Sequence, residues 1–222
     1  MEYLILSVGR ARSGVLAAYL REIGCGKPDE FFEVARFDIL RDTLRATELR
    51  EFIETHRHNG IFGMRLVWSH VSAMYHRLGI GIHAFVKTFL PEAKFIFVTR
   101  DPFRQAIESA IEACSQPDPE APPLKWIEGR VAQIITGYQA WEDYFQCYGI
   151  HPHRIRAEDY AEDPMHMRTV ADFLGYDSAG EVLTENRFDD DLTTHPLVGV
   201  WYRKCLHTYI SMIGEACHAD FD

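Results

Sequence analysis

Apolar positions fall in two rhythms along this chain. Four short runs are continuous enough to read as buried strands: Tyr3–Val8, Ile61–Trp68, Lys94–Thr99 and a shorter one at Arg154–Arg156. Between and after them the apolar residues recur at helical spacing, predicting helices over Val15–Ile23, Leu40–His56, Val71–Phe89, Arg104–Cys114, Lys125–Tyr148, Met165–Leu174 and Leu197–Cys217. The stripe is clearest in Lys125–Tyr148, where Trp126, Val131, Ile134, Ile135, Tyr138, Trp141 and Phe145 share a side. Strands alternating with helices predict an α/β fold, a central parallel sheet of about four to five strands flanked by helices. Such sheets bind ligands at the carboxyl ends of their strands. Ser115–Pro123 holds four prolines in nine residues, which neither helix nor strand can carry, so an exposed connection or a lid is expected there. Asp189–Asp191 reads as a solvated acidic loop. At 222 residues the chain is expected to form a single domain over 1–222.

The break between the first strand and first helix carries the chemistry. Gly9-Arg-Ala-Arg-Ser-Gly14 places backbone N–H groups, a helix N-terminus and two guanidinium groups at one spot, which suits a phosphate or sulfate. An ordinary β–α turn using glycine for tightness is the competing reading. The glycine spacing fits the nucleotide-binding pattern G-x-x-x-x-G-K-[ST], but Val15 and Leu16 stand where the lysine and the magnesium-binding hydroxyl belong. A metal-dependent nucleoside triphosphatase is therefore disfavoured.

Composition narrows the partners. A net charge of −10 argues against nucleic acid, which requires a broad basic surface, and leaves room for a small anion in a local basic pocket. No apolar run reaches the roughly 20 residues that span a bilayer, so no membrane partner is expected. The chain opens on a strand without a signal-type leader, and its five cysteines are scattered, both consistent with a cytoplasmic protein holding reduced thiols. The close pairs His56/His58 and His151/His153 lack further ligands at metal spacing and read as solvated loop residues, so no metal is expected.

Five segments, in this order, resemble the bacterial sulfotransferases of the trehalose 2-sulfotransferase type. They are Arg12-Ser-Gly14, Pro28–Phe32, Gly60–Trp68, Phe95–Ile107, and Arg156–Pro164 followed by Phe173-Leu-Gly175. The resemblance covers roughly residues 3–175 and implies a P-loop-like sulfotransferase architecture. It implies 3′-phosphoadenosine 5′-phosphosulfate (PAPS) as co-substrate and no metal. On that basis Arg10, Arg12, Ser13 and Gly14 hold the 5′-phosphosulfate, Arg100 and Ser109 the 3′-phosphate, and Arg12 also acts in catalysis. Glu30 matches a glutamate proposed in the family as the base that takes the proton of the attacking hydroxyl, and Phe31 and Phe32 would bury it in part.

Arg100 also has a plainer reading, as the partner of Asp101 or of another carboxylate. Arg104, four residues on, either assists or is solvated. Arg65 either steadies charge on the transferring group or pairs with an internal carboxylate. Glu158 and Asp159 read as a helix-start feature.

Two departures from the family pattern weigh on activity. Val15 and Leu16 replace hydroxyl residues and offer only backbone N–H groups. Glu108 stands where the family has a serine, and Ser109 follows one residue later, about 100° further round a helix. The expected function is transfer of a sulfuryl group from PAPS to a hydroxyl of a carbohydrate or other small metabolite. The alternative is a non-catalytic nucleotide- or anion-binding protein of the same fold. A homodimer is compatible with either.

Overall fold

A computed structural model describes residues 1–32, 46–114 and 124–177. The expected lid at 115–123, the acidic run at 189–191, the helix over 197–217 and the first residues of the helix expected from Leu40 lie outside the described residues. The strands are β1 (Glu2–Ser7), β2 (Phe62–Val67), β3 (Lys94–Thr99) and β4 (His153–Arg156). The helices are α1 (Ser13–Glu22), α2 (Ala46–Thr55), α3 (Trp68–Leu78), α4 (Ile82–Phe89), α5 (Pro102–Cys114), α6 (Leu124–Tyr148), α7 (Ala157–Glu162) and α8 (His166–Leu174).

The described residues fall into two compact units, the first containing Met1–Arg100 and 137–177, the second 101–114 and 124–136. The first unit is built on the four-stranded sheet, in the order β2-β1-β3-β4 and parallel throughout. Register fixes what each face carries. Leu6 lies beside Leu66 and Phe97, while Ile5 lies beside Arg65 and Ile96. Strand neighbours in register share a face, so Leu4, Leu6 and Phe97 form one apolar layer and Tyr3, Ile5 and Ile96 the other, all fully buried. On the Leu6 side, Phe97 meets Tyr138 and Phe145 of α6 at ring distances of 6.0 and 5.1 Å, and Trp141 meets Trp68 edge-on at 4.9 Å.

Strand order also creates a switch point. From β1 the chain passes to β2 on one side, whereas β3, reached from β2, lies on the other side of β1. The crevice outside the ends of β1 and β3 is where open parallel sheets accept ligands.

In the second unit, Asp101 caps α5: its Oδ1 accepts the N–H groups of Phe103 and Arg104 at 2.8 and 2.9 Å. Helix α5 buries Phe103, Ala106, Ile107 and Ala110, and the first half of α6 buries Ile127, Val131 and Ile134.

Two expectations are corrected. The single helix expected over Val71–Phe89 is two, because Gly79, at φ 65°, turns its N–H onto the Tyr75 carbonyl and ends α3. His153 is no solvated loop residue: it starts β4, stacks on Phe173 at 4.9 Å, and burial holds its pKa below the usual histidine value. Glu158 and Asp159 do fall in the first turn of a helix, α7. Cys25 is buried and Cys147 exposed, both free thiols.

Candidate functional site

The loop between β1 and α1 is strained at its arginines rather than at its glycines. Arg10 and Arg12 adopt left-handed backbone conformations, φ 66° and 60°. For a non-glycine residue this costs about 1–3 kcal/mol and persists where the surroundings enforce it. Two buried side chains do so here. Arg100, 4% exposed at the end of β3, donates from Nη1 to the Arg10 carbonyl at 3.1 Å. Tyr160 of α7 donates from its hydroxyl to the Arg12 carbonyl at 3.0 Å. Burial pushes the Tyr160 hydroxyl above the ordinary tyrosine range, against the pull of the Arg100 and Arg12 charges, so it acts as a neutral donor.

The strand side of the loop is anchored as firmly. Trp141 donates its indole N–H to the Ser7 carbonyl at 2.8 Å, and the Ser7 hydroxyl donates to Ser13 Oγ at 3.1 Å. The backbone N–H of Arg100 donates to the Tyr138 hydroxyl at 2.9 Å, tying the end of β3 to α6.

Helix α1 begins with Arg12 as its N-cap, with no side-chain cap and no acidic residue in its first turn. Its positive end is therefore not neutralised from within the helix. The Val15 N–H is not offered to a ligand as expected: it donates to the Arg12 carbonyl at 3.0 Å. The N–H groups of Ser13 and Gly14 are the ones the first turn can present.

Glu30 reaches this spot through β2. Asp29 forms an isolated parallel bridge with Met64, and the Arg65 N–H donates to the Asp29 carbonyl at 3.0 Å. That short pairing runs along the outer edge of the sheet and sets Glu30 beside Arg65. Arg65 Nη2 and Glu30 Oε1 lie 2.5 Å apart, with 18% and 17% of the two side chains exposed. Of the two readings for Arg65, the internal carboxylate is thus occupied, and the carboxylate is Glu30. The same guanidinium crosses the head of α1, since a Cβ on Gly14 would lie 2.5 Å from Arg65 Nη1. A side chain at position 14 would displace the guanidinium from where it lies. Arg65 Nε is buried and meets no hydrogen-bond partner among the described residues.

The two rings that follow Glu30 pack onto other aromatics. Phe31 stacks on Phe62 at 5.8 Å, and the buried Phe32 meets Phe85 edge-on at 5.9 Å.

The structure therefore brings Arg10, Arg12, Ser13, Gly14 and Arg100 together around one loop, with Glu30 linked to Gly14 through Arg65. Ser109 and Arg104 belong to the second unit. The Ser109 hydroxyl donates to the Gln105 carbonyl at 3.0 Å, and Arg104 is exposed. Tyr138, Trp141 and Tyr160 were not singled out for the site by sequence reasoning. Their apolar neighbours mark them as core, and only their polar tips reach the loop. Among the described residues no group of three or more His, Cys, Asp and Glu is placed to hold a metal ion. No described helix is long and apolar enough to cross a membrane.

No protein-family model matches the sequence, and no curated protein matches it. Among solved structures, a sulfotransferase from Alicyclobacillus acidocaldarius aligns over 94% of this chain and 90% of its own, with a TM-score of 0.59 and 17% identity. The sulfotransferase domain from the curacin biosynthetic pathway aligns over 78% and 73%, with a TM-score of 0.41 and 17% identity. The first likeness shows the fold: a sulfotransferase-type α/β architecture around a four-stranded parallel sheet.

Proposed function

We propose that this protein is a PAPS-dependent sulfotransferase acting on a hydroxyl of a carbohydrate or another small metabolite, with the trehalose 2-sulfotransferase type as functional model. The observation that carries this reading is the placement of Glu30. A carboxylate from a separate segment is held, through Arg65, against the same helix start that Arg12, Ser13 and Gly14 form. A phosphate-binding loop alone would serve any nucleotide. A carboxylate beside it supplies what hydroxyl sulfation needs, a group that accepts the proton of the attacking oxygen.

The residues fit the donor. Arg10 and Arg12 bring charge to a loop whose backbone turns by left-handed steps, a geometry that gathers N–H groups into an anion-binding concavity. Arg100, at the switch point beside that loop, is our proposed partner of the 3′-phosphate. The Ser109 hydroxyl has a single proton, given to the Gln105 carbonyl, so it meets a phosphate as donor only by releasing that bond. PAPS supplies an activated sulfuryl group whose bond to the 5′-phosphate oxygen breaks in the transfer. Glu30 takes the acceptor's proton, and Arg12 faces the charge gathering on the departing phosphate. The free thiols at Cys25 and Cys147 suit a reducing compartment, and the cytoplasm is our proposed location.

The test is incubation with labelled PAPS and a panel of sugars and small alcohols, following label in product. Wild-type protein transfers label to at least one acceptor. Arg12→Ala abolishes the transfer, whereas Arg104→Ala, at an exposed position, retains it. Binding of PAPS without transfer to any member of the panel would instead favour an anion-binding protein of this fold.

A further inference from the structure

Val15 and Leu16 leave Ser13 as the hydroxyl residue in the first turn of α1, without the further hydroxyls expected just after Gly14, and the Val15 N–H is spent on the Arg12 carbonyl. A donor that makes up for the two lost hydroxyls comes from another element. Three observations indicate which one. The Arg65 guanidinium lies directly across Gly14, close enough that a Cβ there would have to displace it. Its Nη2 is committed to Glu30 Oε1, while its buried Nε meets no partner among the described residues. It projects from the second strand of the sheet, so its stem is held by β-structure rather than by a loop.

We propose that Arg65 is a catalytic residue that replaces the missing loop hydroxyls: one edge of its guanidinium holds the sulfuryl oxygens at the head of α1, and the other fixes Glu30. This rests on the sulfotransferase reading and deepens it. A guanidinium suits the task because its donors lie in one rigid plane and serve two anions along different edges. With Oε1 fixed by Arg65, Oε2 of Glu30 is the oxygen left to face the acceptor. In the transfer, the acceptor oxygen forms the new S–O bond and its proton passes to Glu30. The bond between sulfur and the 5′-phosphate oxygen breaks, its electron pair leaving with adenosine 3′,5′-bisphosphate. Arg65 stays cationic throughout, aligning the base with the electrophile.

The inference separates from a structural role because the product lacks the group Arg65 is proposed to hold. Calorimetric titration with intact PAPS and with adenosine 3′,5′-bisphosphate gives an affinity ratio for wild type, Arg65→Lys and Arg65→Met. Each variant is expected to lose about tenfold or more in PAPS affinity, the weight of a charge-assisted hydrogen bond, while affinity for the bisphosphate stays nearly unchanged. Should Arg65→Met fail to fold, Arg65→Lys carries the comparison, since it keeps the charge and loses the planar fork. An equal loss for both ligands, or no loss for either, overturns the role of Arg65 and leaves the sulfotransferase reading standing. Wild-type protein that binds neither ligand overturns both.

Discussion

Replacing Gly14 with alanine tests the contact on which the site geometry turns. The new Cβ would sit 2.5 Å from Arg65 Nη1. Ordinary contact begins near 3.5 Å, so the guanidinium must withdraw by roughly 1 Å. The Arg65–Glu30 pair, 2.5 Å at rest, would then stretch to the edge of hydrogen-bonding range. A charge-assisted bond contributes about 1.5–3 kcal/mol, and alanine recovers about 0.5–1 kcal/mol over glycine in a helix. The net expectation is a loss of about 1–2 kcal/mol, read as a fall in melting temperature of about 2–8 °C for a chain of this size. The decisive assay is a double-mutant cycle by thermal unfolding. In an Arg65→Met background the clash is gone, and Gly14→Ala should become neutral or stabilising. The same destabilisation in both backgrounds would refute the reasoning, because the cost would then lie in the backbone at Gly14 and not in its contact with Arg65.

Glu30→Gln should lower sulfuryl transfer by roughly a hundredfold or more while leaving bisphosphate affinity nearly intact, and retained turnover would remove Glu30 as the base. Trp141→Phe should destabilise by about 2–4 kcal/mol, because a fully buried ring is reduced and the Ser7 carbonyl loses its indole donor; chemical denaturation measures it, and a change near zero would mean that water replaces the indole. His153, whose pKa burial lowers, should make the fold less stable in acid. Its folded pKa is below the unfolded value, so the unfolded chain binds more protons. Stability is full above the ordinary histidine value near 6.5 and falls as pH drops below it, levelling once the folded group also protonates. Across that window the melting temperature should fall more steeply with decreasing pH for wild type than for His153→Phe, and identical pH profiles would contradict the assignment.

Much of the fold was legible because its signals are local. Continuous apolar runs located all four strands, and β3 ends where the pattern ends, at Thr99. The helix over Val71–Phe89 was misread because its apolar residues keep helical spacing across a break that only the conformation of Gly79 reveals. The loop reads as a candidate anion site from its charge and glycines, yet the strain falls on Arg10 and Arg12, since two distant buried groups hold the carbonyls there. Glu30 and Arg65 were each readable as polar residues of uncertain duty. Their pairing depends on Asp29 meeting the edge of β2, a contact between segments far apart in sequence. Val15 shows the same limit in reverse, because its N–H looked available from the sequence and is taken by the carbonyl of Arg12.

The central claim is that the loop after β1 and the arginine ending β3 form a donor site that works without a metal. Its most direct test is calorimetric titration of the protein with adenosine 3′,5′-bisphosphate in the presence of a chelator, alongside Arg100→Met. The account predicts saturable binding by wild type with a dissociation constant around the micromolar range, about −8 kcal/mol, and a clear loss in the variant. No binding at millimolar ligand, or binding only of a nucleoside triphosphate with magnesium, would contradict it.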